Sequence, residues 1–145
     1  MEQANEPTFN WPPIEGTPEI LGEYMAKAGL PATWAFGDVF GFDEELLQMC
    51  PQPVIAVICN VERLKKAEDK AKGSMETAAG SYYMKQTGVL DNACGVIACI
   101  HAILNNLGAD KIALPEDAHL SKFLAQAKDK APMDRALQLE ADTFF

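Results

Sequence analysis

Cys94 followed by Gly95, with Gln86 upstream, stands directly before a long apolar run, and that order of residue types looks like half of a thiol-hydrolase site. A cysteine that opens a helix faces unpaired backbone amides and the positive end of the helix dipole. That setting promotes a nucleophilic sulfur and leaves the cysteine's own amide free to hold an oxyanion. From Gly95 the chain continues through Val96, Ile97, Ala98, Cys99, Ile100, His101, Ala102, Ile103 and Leu104 without a breaker. Asn105, Asn106, Leu107 and Gly108 follow, and Gly108 suits a helix C′ position. The expected element is a buried helix with a thiol at its N-terminus. Cysteine on an apolar helix is also a common core residue, so Cys94 needs support from its neighbours. Cys99, in mid-helix, has no such support and reads as core.

The other half of a thiol-hydrolase site is a base. The chain has two histidines. His101 lies seven residues beyond Cys94 on the same helix, about 10.5 Å along the axis, which is outside hydrogen-bond reach of the thiol. It reads as a satisfied core histidine. His119 opens a separate expected helix among charged residues and reads as a surface side chain.

The elements that must position these residues are marked by local signals. Residues 1–10 show no periodic apolar pattern and read as a flexible tail. Thr17 as N-cap, Pro18 at N1 and Glu19 in the first turn start a helix that ends at Gly29, with Ile20, Leu21, Tyr24, Met25 and Ala28 as its apolar stripe. Residues 34–40 read as a short strand, and Asp43 caps a short helix through Leu46, Leu47 and Met49 that Pro51 and Pro53 close. Residues 54–59 are a continuous apolar, β-branched run of the kind covered on both faces of a sheet. Residues 62–72 are a charged, helix-prone stretch best read as a solvated face, and 73–80 read as a loop. Residues 117–130 and 132–145 are expected to be helical. No internal repeat or domain linker is evident.

The string Tyr83-Met84-Lys85-Gln86-Thr87, then Asn92-Ala93-Cys94-Gly95, Ile100-His101-Ala102-Ile103 and Asn105-Asn106 resembles the ubiquitin carboxyl-terminal hydrolase family of cysteine deubiquitinases. Further matches fall in the family's order: Trp11-Pro12-Pro13-Ile14-Glu15 with Pro18-Glu19, Asp38-Val39-Phe40-Gly41 with Glu45-Leu46-Leu47, Pro53-Val54-Ile55-Ala56-Val57-Ile58, and Leu120-Ser121-Lys122-Phe123-Leu124. The resemblance implies an α/β (α+β) fold, a papain-like helix–sheet–helix sandwich, with residues 1–145 as a single domain truncated on its C-terminal side. It implies that Cys94 is the nucleophile attacking the carbonyl at the C-terminal glycine of ubiquitin, forming a thioester. Gln86 then donates its side-chain amide to the oxyanion beside the amide of Cys94. It matches His101 to a helix histidine that is not the base, and no residue here matches the family's base histidine or its orienting aspartate. Two departures are local. Seven residues separate Gln86 from Cys94, more than is usual in the family, and Val96 stands where a threonine is usual. The segment Trp11, Pro12, Pro13 and Ile14 has two compatible readings, packing onto the domain body and, as in the family, contact with ubiquitin.

Composition bounds the partners. Twelve Lys+Arg against 21 Asp+Glu give a formal net charge of −9, which argues against nucleic acid or an acidic membrane and permits a basic partner, such as the basic face of ubiquitin that the resemblance implies. Cys50, Cys59, Cys94 and Cys99 show neither paired spacing nor nearby histidines, so no zinc, other cofactor or structural disulfide is expected. The N-terminus has no basic and apolar leader pattern, and no apolar run approaches the ~20 residues of a spanning helix. A cytoplasmic location follows as an expectation. Two functions remain in view: a thiol-dependent ubiquitin C-terminal hydrolase, or a non-catalytic ubiquitin-binding or regulatory protein. The truncated sheet implied by the resemblance leaves an uncovered edge at 54–59, and with Leu137, Leu139, Phe144 and Phe145 it predicts self-association.

Overall fold

A computed structural model describes residues 9–61 and 80–145. Its helices are α1 (Pro18–Ala28), α2 (Glu44–Leu47), α3 (Cys94–Leu104), α4 (His119–Ala127) and α5 (Pro132–Glu140). The charged stretch 62–72 and most of the loop 73–80 lie outside the described residues, as do residues 1–8 of the expected tail.

α1 forms where its local signals place it. Thr17 precedes it in extended conformation, Pro18 takes the first turn, and Gly29 ends it with a left-handed φ of 113°. The Gly29 amide donates to Ala26 O at 3.0 Å and the Leu30 amide to Met25 O at 2.9 Å, the paired bonds of a Schellman ending. Leu21, Met25 and Ala28 turn inward, while Ile20, expected in the same stripe, is 40% exposed. α2 follows Asp43 as expected.

α3 lies at the centre of the core. Val96, Ile97, Cys99, Ile100, Ile103 and Leu104 are all buried. They pack in one cluster with Met25 and Ala28 of α1, Leu120, Phe123 and Ala127 of α4, Ala136 and Leu139 of α5, and Met84 and Leu90 from the segment before α3. The helix stops at Leu104, four residues before Gly108, which therefore is not its C′ residue. The reason is side-chain capping: Asn105 Nδ2 donates to His101 O and Asn106 Nδ2 to Ala102 O, each at 2.9 Å, satisfying final-turn carbonyls directly.

α4 and α5 are joined by Arg135. Its Nε donates to Ala127 O at 3.0 Å and its Nη2 to Lys128 O at 2.6 Å, closing the C-terminal end of α4 with a cation. α5 is shorter than the expected 132–145 helix. After Glu140 the chain turns back, and Asp142 Oδ1 accepts from the Phe144 amide at 2.8 Å. Leu139 is fully buried, Leu137 is half exposed, and Phe145 packs against Tyr24 and Phe123. The apolar C-terminal residues are thus only partly on the surface.

Neither expected strand pairs with any of the described residues. Among the described residues the only β-bridge joins Leu107 and Ile112 in parallel. Residues 34–40 and 54–59 run without a ladder, and Val54, Val57 and Ile58 are 50%, 67% and 40% exposed. An apolar β-branched run becomes a covered strand only when neighbouring strands meet its backbone, and among the described residues none does so.

Gly29 carries a specific requirement, because a Cβ built there falls well inside contact distance of Ala118 Cβ, at the residue that starts α4. Gly29→Ala adds that collision to the strain of a left-handed non-glycine residue. The expected loss is about 2 kcal/mol or more, read as a lowered denaturation midpoint. Gly22→Ala, in α1 with open space around its Cβ position, is expected to be neutral or mildly stabilising in the same assay.

Candidate functional site

Cys94 is the first residue of α3, and its side chain is exposed. The preceding residue, Ala93, is fully buried, and its carbonyl receives the Ile97 amide at 2.9 Å, so the start of the helix is fixed from inside. Gly95 allows close passage of the N-terminal segment: a Cβ there would lie 2.5 Å from Ile14 Cγ2. Trp11 and Ile14 are partly buried against the core. The packing reading of this segment is therefore realised, and Asn10 belongs to an anchored strap rather than to the flexible tail expected over 1–10.

The anchor is Asp91. Its carboxylate accepts from the Asn10 amide at 3.0 Å and the Trp11 amide at 2.9 Å, and also from the Asn92 amide at 3.0 Å. The backbone donors, Asn10 first and Trp11 next, hold the Asp91 carboxyl below the usual carboxylate range.

Gln86 is in the same loop, but its amide is not free. Nε2 donates to Leu90 O at 2.7 Å and to Asp91 O at 3.2 Å, committing both of its hydrogens. Two carbonyl acceptors fix which end of the carboxamide is nitrogen. The extra length between Gln86 and Cys94 thus forms a turn that satisfies the glutamine from within. Thr87 Oγ1 accepts from the Leu90 amide at 3.3 Å and is bonded to Glu140 of α5.

The segment that delivers Gln86 to this loop has no strand beside it among the described residues. Its backbone is met by side chains and by one backbone carbonyl instead. Asn105 brackets Tyr82, its Oδ1 accepting from the Tyr82 amide at 2.6 Å and its Nδ2 donating to Tyr82 O at 2.9 Å. His101 Nε2 accepts from the Met84 amide at 3.0 Å. From the α5 side, Arg135 Nη1 donates to Tyr83 O at 2.8 Å, and Pro132 O accepts from the Lys85 amide at 3.1 Å. The Arg135 guanidinium also lies 4.5 Å from the centre of the Tyr82 ring. Burial pushes the Tyr82 hydroxyl up to about 12 against the opposing charge of Arg135, and among the described residues its buried oxygen has no hydrogen-bond partner.

The bond to Met84 fixes the state of His101. A ring nitrogen that accepts must be unprotonated, so the neutral ring carries its hydrogen on Nδ1. Burial, and then the nearby Arg135 charge, lower its pKa. His101 is satisfied as expected, by a backbone amide, but it is half-buried at the edge of the core rather than within it. His119 differs from the exposed side chain expected. Its Nε2 is 2.9 Å from both oxygens of Asp142, and its ring stacks on Phe144 with centroids 4.3 Å apart. Both histidines are therefore committed to partners other than Cys94.

The sequence assigns no role to Arg135, Asp91 or Asp142, and Asn105 enters only as part of the family string. One signal was available: His101 and Asn105 are spaced i, i+4 in an otherwise apolar helix, which puts two polar groups on one face with a common task. Arg135 and Asp142 carry no such signal, since Arg135 reaches backbone carbonyls at residues 83, 127 and 128 and Asp142 reaches the His119 side chain 23 residues away. Among the described residues no group of three His, Cys, Asp or Glu is placed to hold a metal ion, and no helix is long and apolar enough to cross a membrane.

Cys94 thus opens a buried central helix with its thiol exposed, and Gln86 lies in the loop that leads to it. The family model for ubiquitin carboxyl-terminal hydrolase, family 1, matches residues 11–145, and the chain belongs to that family. It is 38% identical over 136 residues to a ubiquitin carboxyl-terminal hydrolase of Aplysia californica, covering 91% of this chain and 61% of that protein. It is 36% identical over 147 residues to a probable ubiquitin carboxyl-terminal hydrolase of Dictyostelium discoideum, covering 95% and 56%. It is also 36% identical over 152 residues to ubiquitin carboxyl-terminal hydrolase 3 of Arabidopsis thaliana, covering 99% and 63%. The chain spans about three fifths of the length of these curated relatives.

The lowered pKa of His101 gives a signed pH dependence. As pH falls, the unfolded chain takes up the proton first, near 6.5, while the folded chain resists. The stability contributed by neutral His101 is complete above that value and is lost as pH falls through the lower folded value. Thermal midpoints are expected to drop below about pH 6.5. His101→Phe keeps a ring beside Tyr83 but leaves the Met84 amide without its acceptor. It is expected to cost about 1–3 kcal/mol at neutral pH and to flatten that acid slope.

Proposed function

We propose that this chain provides the nucleophile half of a thiol-dependent ubiquitin C-terminal hydrolase, with Cys94 as the attacking sulfur. The observation that carries the reading is the exposed Cys94 thiol at the first position of α3 in a chain that belongs to this family. On this reading the helices are the helical layers of a papain-like helix–sheet–helix sandwich. Cys94 Sγ bonds to the carbonyl carbon at the C-terminal glycine of ubiquitin, the bond to the leaving group breaks, and that group departs with a proton. Water then hydrolyses the thioester and restores the thiol. The oxyanion lies beside the Cys94 amide, and Gln86 contributes once its amide leaves the carbonyls of Leu90 and Asp91. The acidic chain suits the basic face of ubiquitin, and the reducing cytoplasm keeps the thiol available.

A second reading, ubiquitin binding without turnover, is favoured by one observation: His101 and His119 are both engaged elsewhere. A base and acid are typically worth ~10²–10⁴-fold in rate. The two readings share ubiquitin as partner and differ in turnover.

Ubiquitin bearing a C-terminal electrophile is expected to form one covalent adduct, mapped to Cys94 by mass spectrometry and abolished in Cys94→Ser. No adduct, with ubiquitin still bound, would sink the hydrolase reading and leave the binding one. Brief alkylation with a small reagent is expected to mark Cys94 ahead of the exposed Cys59. Cys99 should stay unlabelled, because it is fully buried and burial pushes its thiol up to about 12.

A further inference from the structure

The loop between Gln86 and Cys94 is tied at two levels by one residue. The Asp91 carboxylate grips the strap backbone at Asn10 and Trp11, and the Asp91 carbonyl, with that of Leu90, grips the Gln86 amide. The strap then runs on to Ile14, whose methyl lies against Gly95, next to the nucleophile. A carboxylate that accepts from two successive backbone amides fixes both the position and the direction of the strap. The same fixation sets the turn in which Gln86 is held, because Asp91 has its side chain on one partner and its carbonyl on the other.

We propose that Asp91 is a positioning residue that couples the N-terminal strap to Gln86. While the strap is seated, both amide hydrogens of Gln86 are spent on Leu90 and Asp91. When the strap lifts, the turn relaxes, and the amide is released to donate to a carbonyl held at Cys94. The oxyanion role of Gln86 rests on the hydrolase reading, whereas the mechanical link between strap and glutamine does not. The link requires that three features move together: the Asn10 and Trp11 amides, the turn at residues 88–91, and the Gln86 carboxamide. A loop without Asp91 has no carboxylate for the strap and so leaves Gln86 independent of it.

The test uses the full chain, isotope-labelled for nuclear magnetic resonance, as wild type and with Asp91→Ala. Hydrogen exchange at the Asn10 and Trp11 amides reads the strap. The chemical shifts of the Gln86 side-chain NH2 read the glutamine, with Gln86→Glu identifying the signal by its loss. Asp91→Ala is expected to speed exchange at both strap amides by about tenfold or more. It should also move the Gln86 signals toward those of a free glutamine. Asp91→Asn keeps the shape of the side chain with one acceptor oxygen, and is expected to give intermediate values of both. Fast exchange at the strap with Gln86 signals unmoved would overturn the coupling, as would unchanged exchange at the strap. No ubiquitin is present, so this failure is distinct from failure of the hydrolase reading, which capture at Cys94 reports.

Discussion

The backbone of residues 82–87 has polar groups that must be met, and among the described residues no strand lies alongside to meet them. Asn105 and His101 of the α3 end supply the partners on one side, and Arg135 and the Pro132 carbonyl of α5 supply them on the other. A buried or half-buried amide without an acceptor costs about as much as a lost hydrogen bond. Each of these contacts is therefore specific to one residue of the segment and cannot slide along it as a ladder register could. Gln86 sits where it does because Tyr82, Tyr83, Met84 and Lys85 are each pinned before it.

This constraint joins distant parts of the chain into one site. Arg135 closes α4 through Ala127 and Lys128 and reaches across to Tyr83, so the α4–α5 junction and the glutamine segment share a single guanidinium. A lysine has neither the planar fork nor the number of donors for those three carbonyls. α3 serves twice, presenting Cys94 at its N-terminus and His101 and Asn105 near its C-terminus. The helix that holds the nucleophile thus also holds the segment that leads to Gln86, and Asp91 adds the N-terminal strap to the same assembly.

The sequence was most legible where one local signal decides the structure. Pro18 and Gly29 bound α1, and the unbroken apolar run after Cys94 marks α3 as a buried helix; both hold in the structure. The run at 54–59 was read for its own residues, yet strand burial depends on neighbours, and in the structure most of it is exposed. Gly108 suited a helix end, but Asn105 and Asn106 end α3 first with their own amides. For the site, the position of Cys94 was legible because helix starts have a sequence pattern. The capture of Gln86 by Leu90 and Asp91 was not, because a longer spacing reveals a different loop without saying which carbonyls it presents. The commitment of His119 to Asp142 depends on the chain turning back after α5, a tertiary event with no local code.

Side chains of α3 and α5, with the Pro132 carbonyl, stand in for a strand ladder along residues 82–85. Amide hydrogen exchange at Tyr82, Met84 and Lys85 in the unmodified chain tests this most directly. Protection of these amides is expected to approach that of Ile100 and Ile103 within α3, with Tyr82 opening selectively in Asn105→Ala. Exchange of Tyr82 and Met84 at the rate of an open chain, while α3 remains protected, would contradict it.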